Sequence, residues 1–148
     1  VTSVGQRAPE FSGKDHNGNE ISLQALRKLG PVVLYFYPRD FTPGCTREAC
    51  MFRDAFEELT GASVIGVSID DEASHKKFAT EHRLPYALLS DPGHALAKQY
   101  DIVRMFGLGA QRVTFVIDRD GIIRAKIHSE LSMSRHVKDT KDALAALK

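Results

Sequence analysis

The chain of 148 residues is poor in cysteine, with two, and nearly without net charge: twenty basic side chains stand against nineteen acidic ones, a formal +1. Two cysteines cannot build the disulfide framework of a small secreted domain or a closed four-thiolate metal site. The charge balance removes the broad basic field of a nucleic-acid binder, and no polybasic anchor stands out. No stretch approaches the roughly 18 apolar residues of a membrane span. Val1 to Glu10 lacks an apolar signal-peptide core. The expected location is therefore the cytoplasm, with neither membrane nor nucleic acid as partner. Repeats, linkers and low-complexity stretches are also missing, and 43% hydrophobic residues suffice for an ordinary core. One domain over residues 1–148 is expected.

The apolar residues that are present alternate between two patterns. Val32 to Tyr37 is an unbroken apolar and aromatic run that reads as a buried central strand, and Val64 to Ile69 and Val113 to Ile117 repeat it. Ala87 to Leu89 is a shorter strand. Ile122 to Ile127, after the Asp120-Gly121 turn, reads as the return arm of a hairpin. The first thirty residues read as loop, with a turn at Asn17-Gly18 and a short edge strand at Glu20 to Leu23. Between the strands lie helical stretches at Glu72 to His82, His94 to Tyr100 and Ser134 to Leu147, the last with Val137, Thr140, Leu144 and Leu147 facing inward. After Thr42, apolar positions at Cys45, Ala49, Phe52, Phe56 and Leu59 form one stripe on a helix of about four turns. The expected fold is α/β, a mixed sheet with helices on both faces.

The segment Pro38-Arg39-Asp40-Phe41-Thr42-Pro43-Gly44-Cys45 leaves a buried strand and enters that helix. Thr42 suits the N-cap, and Pro43 the first helical position, where a missing N–H costs nothing. Cys45 then falls near the third position, among unpaired amides at the positive end of the helix dipole, which favours the sulfur anion. The stripe turns Cys45 inward, whereas Cys50 shares its flank with Arg53, Asp54 and Glu57. Cys45 is thus the candidate nucleophile and Cys50 a peripheral thiol suited to resolving its oxidised form. Five residues of ideal helix separate two Cα atoms by roughly 8.7 Å, and a disulfide needs them within about 7 Å. The pair cannot bridge while the helix is intact, and Gly44 lowers helix propensity at that end.

Other readings of these residues stay open at this point. Both cysteines can be inert, and Glu48 can be a solvent-facing helix residue rather than the partner of an arginine. A metal site finds no support: the six histidines show no ligand pair, and the first one after the cysteines is His75. Asp118-Arg119-Asp120-Gly121 lacks the full spacing of a calcium loop and reads as the hairpin turn. No Cys-x-x-Cys motif is present, so direct dithiol exchange is not the default.

The segment from Tyr37 to Cys50 resembles the active-site segment of the peroxiredoxins, and more narrowly the bacterioferritin comigratory protein or peroxiredoxin Q branch. Its Pro-x-x-x-Thr-x-x-Cys signature is complete at Pro38, Thr42 and Cys45, and the second cysteine follows five residues later at Cys50. A distant Arg-x-Thr-Phe element matches Arg112-Val113-Thr114-Phe115. The resemblance implies a thioredoxin-like fold and a thiol peroxidase for hydrogen peroxide and alkyl hydroperoxides. It implies that Cys45 is oxidised to sulfenic acid and closes a disulfide with Cys50, which thioredoxin or a similar dithiol protein reopens. Pro38, Thr42 and Arg112 would complete the catalytic set, with Gly44 and Glu48 in support, no cofactor, no metal, and a monomer as the working unit. Two rivals remain: a thioredoxin-fold binding domain, which would leave peroxide unconsumed, and a general thiol–disulfide oxidoreductase, which would prefer a protein disulfide.

Overall fold

The structure is a computed structural model that describes residues 2–59, 61–104 and 109–147. Its central sheet has five strands, β3 (Val32–Phe36), β4 (Ser63–Ser68), β5 (Ala87–Ser90), β6 (Val113–Ile117) and β7 (Ile123–His128), in the order β5-β4-β3-β6-β7. β3 runs parallel to β4 and antiparallel to β6, so the sheet is mixed. This is the thioredoxin-like arrangement, with helices on both faces.

Every side chain of β3 is buried, because successive residues feed two different cores. Val33, Tyr35 and Tyr37 point toward α2 (Pro43–Ala55), α3 (Glu72–His82) and α5 (Met133–Ala145), where they meet Phe52, Phe78 and Val137. Val32, Leu34 and Phe36 point the other way, toward Leu23 of α1 (Leu23–Arg27), Leu96 of α4 (Ala95–Gln99), and Phe115. The unbroken apolar run expected of a central strand follows from this two-sided burial.

The N-terminal reading needs correction. Residues 12–22 are not merely loop: β1 (Ser12–Lys14) and β2 (Glu20–Ser22) pair antiparallel around Gly18, whose φ is 80°. Asp15 Oδ1 accepts from the amides of Asn17 and Asn19, both at 2.9 Å, and fixes the turn. Leu23 opens a short helix rather than ending a strand, since Ser22 Oγ accepts from the Ala25 amide at 3.1 Å.

The helices keep the expected faces with shifted ends. α2 stops at Ala55 and passes into a 3-10 turn over Phe56–Glu58, which leaves Phe56 half-buried. α5 starts one residue early because Ser132 Oγ accepts from the Arg135 amide. Val137, Thr140 and Leu144 are buried on it as expected, and Leu147 lies past its end, half-buried.

α2 is fixed to the sheet from below. Tyr35 stacks on Phe52, centroids 4.7 Å apart. Tyr86 OH donates to the Ala49 carbonyl at 2.8 Å, so the Tyr35 hydroxyl, 2.8 Å from it, must be the donor between the two rings. Gly66 of β4 makes room for this pair: a Cβ there would lie 2.8 Å from both the Tyr35 hydroxyl and Leu88 Cδ2. Gly66→Ala should therefore cost about 1–3 kcal/mol by overpacking, read as a lower urea midpoint with an unchanged slope. A midpoint equal to wild type would show that the Tyr35–Tyr86 packing has slack.

Candidate active site

The chain leaves β3 into a loop over residues 37–42 and enters α2 at Pro43. Pro38 is half-buried in that loop. Thr42 occupies the N-cap with extended backbone, as expected, but its hydroxyl caps nothing and donates instead to the Arg39 carbonyl at 3.1 Å. The reason lies in the loop: Phe41 has φ 65°, and the chain folds back at this point. Cys45 is buried at 1% exposure among Tyr37, Ala49 and Phe52, and Cys50 is half-buried. Both thiols are free, and α2 runs unbroken past both.

Arg112 immediately precedes β6, whose Val113 pairs with Phe36 at the end of β3. That register delivers the guanidinium to the start of α2. A Cβ on Gly44 would lie 3.3 Å from Arg112 Nη2, so the missing side chain is what lets the cation approach the helix end. Gly44 thus serves close approach as well as low helix propensity. Arg112 Nη1 donates to Glu48 Oε1 at 2.9 Å, and the guanidinium also faces the Cys45 sulfur. Burial pulls the Arg112 pKa down, but Glu48 and Cys45 outweigh it and hold the cation more firmly protonated. The Arg112 amide donates to Glu130 Oε2 at 2.9 Å, which anchors the backbone of the same residue. Glu48, fully buried, is therefore the arginine partner rather than a solvent-facing glutamate.

Sequence reasoning missed the layer behind Glu48. His136 of α5 donates from Nε2 to the Ser129 carbonyl at 2.8 Å, so Nδ1 is left to accept from the Thr114 hydroxyl at 2.8 Å. The same Nδ1 lies 3.5 Å from Glu48 Oε2, a buried oxygen with no hydrogen-bond partner. Burial pushes the Glu48 pKa up to about 7, against the pull of Arg112. Burial also lowers His136, in keeping with a neutral ring. Thr114 and His136 sit on faces that the helix and strand periods mark as inward; nothing in the sequence links them to Glu48 across 66 and 88 residues.

A second polar cluster was equally invisible. His75, assigned no role from the sequence, places Nδ1 2.7 Å from Asp40 Oδ2. Asp40, Asp70 and His75 bring three possible ligand atoms within 4.8 Å of one another. These atoms are already engaged by protein donors: Asp40 by Tyr37, Ser74 and His75, Asp70 by Ser68 and the Asp40 amide. A metal ion would have to displace them.

Residues 4–126 match the model of the AhpC/TSA family. Peroxiredoxin Q of Arabidopsis thaliana, a chloroplastic protein, is 46% identical over 145 residues, covering 96% of this chain and 67% of its own length. The crystal structure of peroxidoxin BcpB from Mycobacterium tuberculosis superposes with a TM-score of 0.93 at 38% identity, over 100% of this chain and 99% of that one. The bacterioferritin comigratory protein of Xanthomonas campestris, described for its alkyl peroxide reduction activity, gives 0.84 at 30% identity over 93% and 91%. The cytoplasmic location expected from the sequence is overturned by these relatives, because the peroxiredoxin Q proteins of plants are named as chloroplastic. That expectation rested on a missing apolar core, and organellar transit segments are amphipathic rather than apolar, so the absence never bore on the question. The signature around Cys45, the fold that carries it and the relatives that share both converge: this chain belongs to the AhpC/TSA family, in its peroxiredoxin Q and bacterioferritin comigratory protein branch, and is a thiol-based peroxidase served by a thioredoxin-type reductant.

Proposed function

We propose that Cys45 is the peroxidatic cysteine, Cys50 the resolving one, and Arg112 the group that stabilises both the thiolate and the departing oxygen. The substrates on this reading are hydrogen peroxide and alkyl hydroperoxides, and the working unit is one domain acting as a monomer. The Cys45 thiolate attacks one peroxide oxygen, an S–O bond forms as O–O breaks, and the leaving hydroxide or alkoxide takes up a proton. The Cys50 thiol then attacks the sulfenic sulfur and water departs. A dithiol protein reduces the resulting disulfide.

The approach of the Arg112 guanidinium to the Cys45 sulfur, across Gly44, carries this reading. A fixed cation there serves the reactant anion and then the charge that builds on the leaving oxygen. Full ionisation of an ordinary thiol near neutral pH raises the reactive fraction by only about thirtyfold. A fast peroxidase needs more than that, and alignment of the O–O bond with electrostatic stabilisation of its departing oxygen supplies it. Pro38, lacking a backbone donor, walls the entrance. With its proton given to the Arg39 carbonyl, the Thr42 hydroxyl keeps lone pairs to accept from a bound peroxide, and a single-bond rotation would turn its proton toward the Cys45 sulfur. Resolution requires α2 to unwind over its first turns, because the intact helix holds the two Cα atoms roughly 8.7 Å apart.

Cys45→Ser should abolish peroxide consumption. Cys50→Ser should consume one equivalent per chain and stop as sulfenic acid, drifting to sulfinic acid in excess peroxide. Intact-mass measurements after one and ten equivalents separate these, and a Cys50→Ser chain inert to the first equivalent contradicts the division of labour. Arg112→Ala should lower the peroxide rate by a larger factor than it lowers the thiolate fraction, measured together by stopped flow and thiolate absorbance. Equal losses would reduce Arg112 to a thiolate stabiliser.

Glu48 adds a pH signature. Its folded pKa of about 7 lies above the ordinary 4.5, so between these values the folded chain keeps a proton that the unfolded chain releases. Its contribution to stability is whole below about pH 4.5 and is lost as pH rises through 7. Urea unfolding across pH 4.5 to 8 should show wild type losing stability relative to Glu48→Gln over that window. A constant difference between the two proteins would mean that Glu48 ionises normally.

A further inference from the structure

The loop that delivers α2 is tied to α3, on the same face of the sheet, by a cluster that takes no part in the chemistry above. The Asp40 carboxylate is buried at 4% exposure and accepts three side-chain hydrogen bonds: from Tyr37 OH at 2.6 Å, His75 Nδ1 at 2.7 Å and Ser74 Oγ at 3.0 Å. Its own amide donates to Asp70 Oδ2 at 2.7 Å, and Asp70 is held in turn by Ser68 Oγ at 2.6 Å. His75 Nδ1 has only oxygens before it and so carries the proton; Nε2 is buried and unpartnered. A wholly buried carboxylate with this many donors is costly to disturb.

The residue after Asp40 shows what the cluster holds in place. Phe41 adopts φ 65°, a conformation unfavoured for a bulky side chain, and lays its ring edge-on to Phe78 of α3, centroids 5.1 Å apart. Asp40 and Phe41 together fasten the loop to α3 immediately before Thr42 and Pro43 start the helix that buries Cys45. Freed from Asp40, Phe41 can relax to an ordinary backbone angle, and the first turn of α2 loses the geometry that starts it.

We propose that Asp40 is a positioning residue: a latch, made with Tyr37, Ser74 and His75, that holds the closed form of the Cys45 helix start and must release before Cys45 can reach Cys50. This rests on the cysteine roles proposed above. The latch sets the balance between two fates of the sulfenic acid. A firm latch favours the first oxidation and leaves the sulfenic acid waiting, exposed to a second peroxide. A loose latch speeds disulfide closure and protects the sulfur.

Asp40→Asn keeps the shape of the side chain and weakens the charged interactions, and Ser74→Ala removes one partner at a half-buried position. Each protein is cycled with hydrogen peroxide and a thioredoxin system, and the Cys45 sulfinic acid formed per turnover is read by mass spectrometry beside the single-turnover rate of disulfide formation. Asp40→Asn should close the disulfide faster and cut sulfinic acid per turnover by roughly three- to tenfold, the effect of one weakened charge-assisted hydrogen bond. Ser74→Ala should move both readings the same way by less. A residue that is merely structural would lower the melting temperature and leave this partition unchanged. An unchanged partition in Ser74→Ala and in any folded Asp40→Asn, while Cys50→Ser still stalls as sulfenic acid, overturns the latch and leaves the cysteine roles standing. Wild type that forms no Cys45–Cys50 disulfide overturns both.

Discussion

Arg112 is a permanently charged side chain taken almost wholly out of water, at 7% exposure, and the site is arranged around the need to compensate it. Burying a guanidinium costs several kcal/mol unless carboxylate or sulfur partners take over from water. Glu48 and Cys45 are those partners, one turn apart on the same inward face of α2. Gly44 leaves the space through which the guanidinium approaches the helix end. The register of β6 against β3 sets the height of Arg112, and Glu130 pins its backbone, so the cation has little freedom to move away from the start of α2.

The attachments of α2 divide it into two parts with different mechanical character. From Ala49 onward the helix is clamped, by the Tyr86 hydroxyl on the Ala49 carbonyl and by Phe52 stacked on Tyr35. Before Ala49 it is held by the loop and by the polar contacts of Arg112. Cys45 lies in the second part and Cys50 just inside the first. An opening that starts at Pro43 and stops at the Tyr86 clamp therefore moves Cys45 toward a nearly stationary Cys50, and the core beneath Phe52 need not be disturbed. Local opening of this kind draws on the least buried contacts of an element, which are those at its start.

Much of this was legible before any coordinates. The three central strands, the cysteine helix and the inward face of α5 follow from hydrophobic period, because the runs at Val32, Val64 and Val113 are too apolar for anything but two-sided burial, and β7 follows from the Asp120-Gly121 turn before it. At the N-terminus the Asn17-Gly18 turn and the strand after it were legible, but β1 and α1 were not, since β1 is three residues long and α1 is started by a single side chain, Ser22, acting on a nearby amide. Within the site, Cys45, Cys50 and Arg112 could be named from the sequence, but the acceptor of the Thr42 hydroxyl could not. It depends on a left-handed Phe41, and nothing in the string Asp40-Phe41-Thr42 asks for one. His136, Thr114, His75 and Ser74 were missed for a related reason: each looks like an ordinary helix or strand residue, and its meaning comes only from the distant residue facing it.

The buried layer behind Arg112 also bears on how one site manages two opposite charge states. On the role proposed for Cys45, the sulfur attacks as an anion and ends as a neutral sulfenic acid, with the negative charge moved to the departing oxygen. A carboxylate fixed beside the guanidinium would compete for its charge throughout. Burial lifts the Glu48 pKa to about 7 against the pull of Arg112, and its second oxygen lies 3.5 Å from His136 Nδ1. Its other oxygen accepts from Arg112 Nη1 at 2.9 Å and holds the guanidinium in position. On the roles proposed above, the same carboxyl compensates the buried guanidinium and, to the extent that burial favours its neutral form, leaves more of the cation's field to the oxygen that departs.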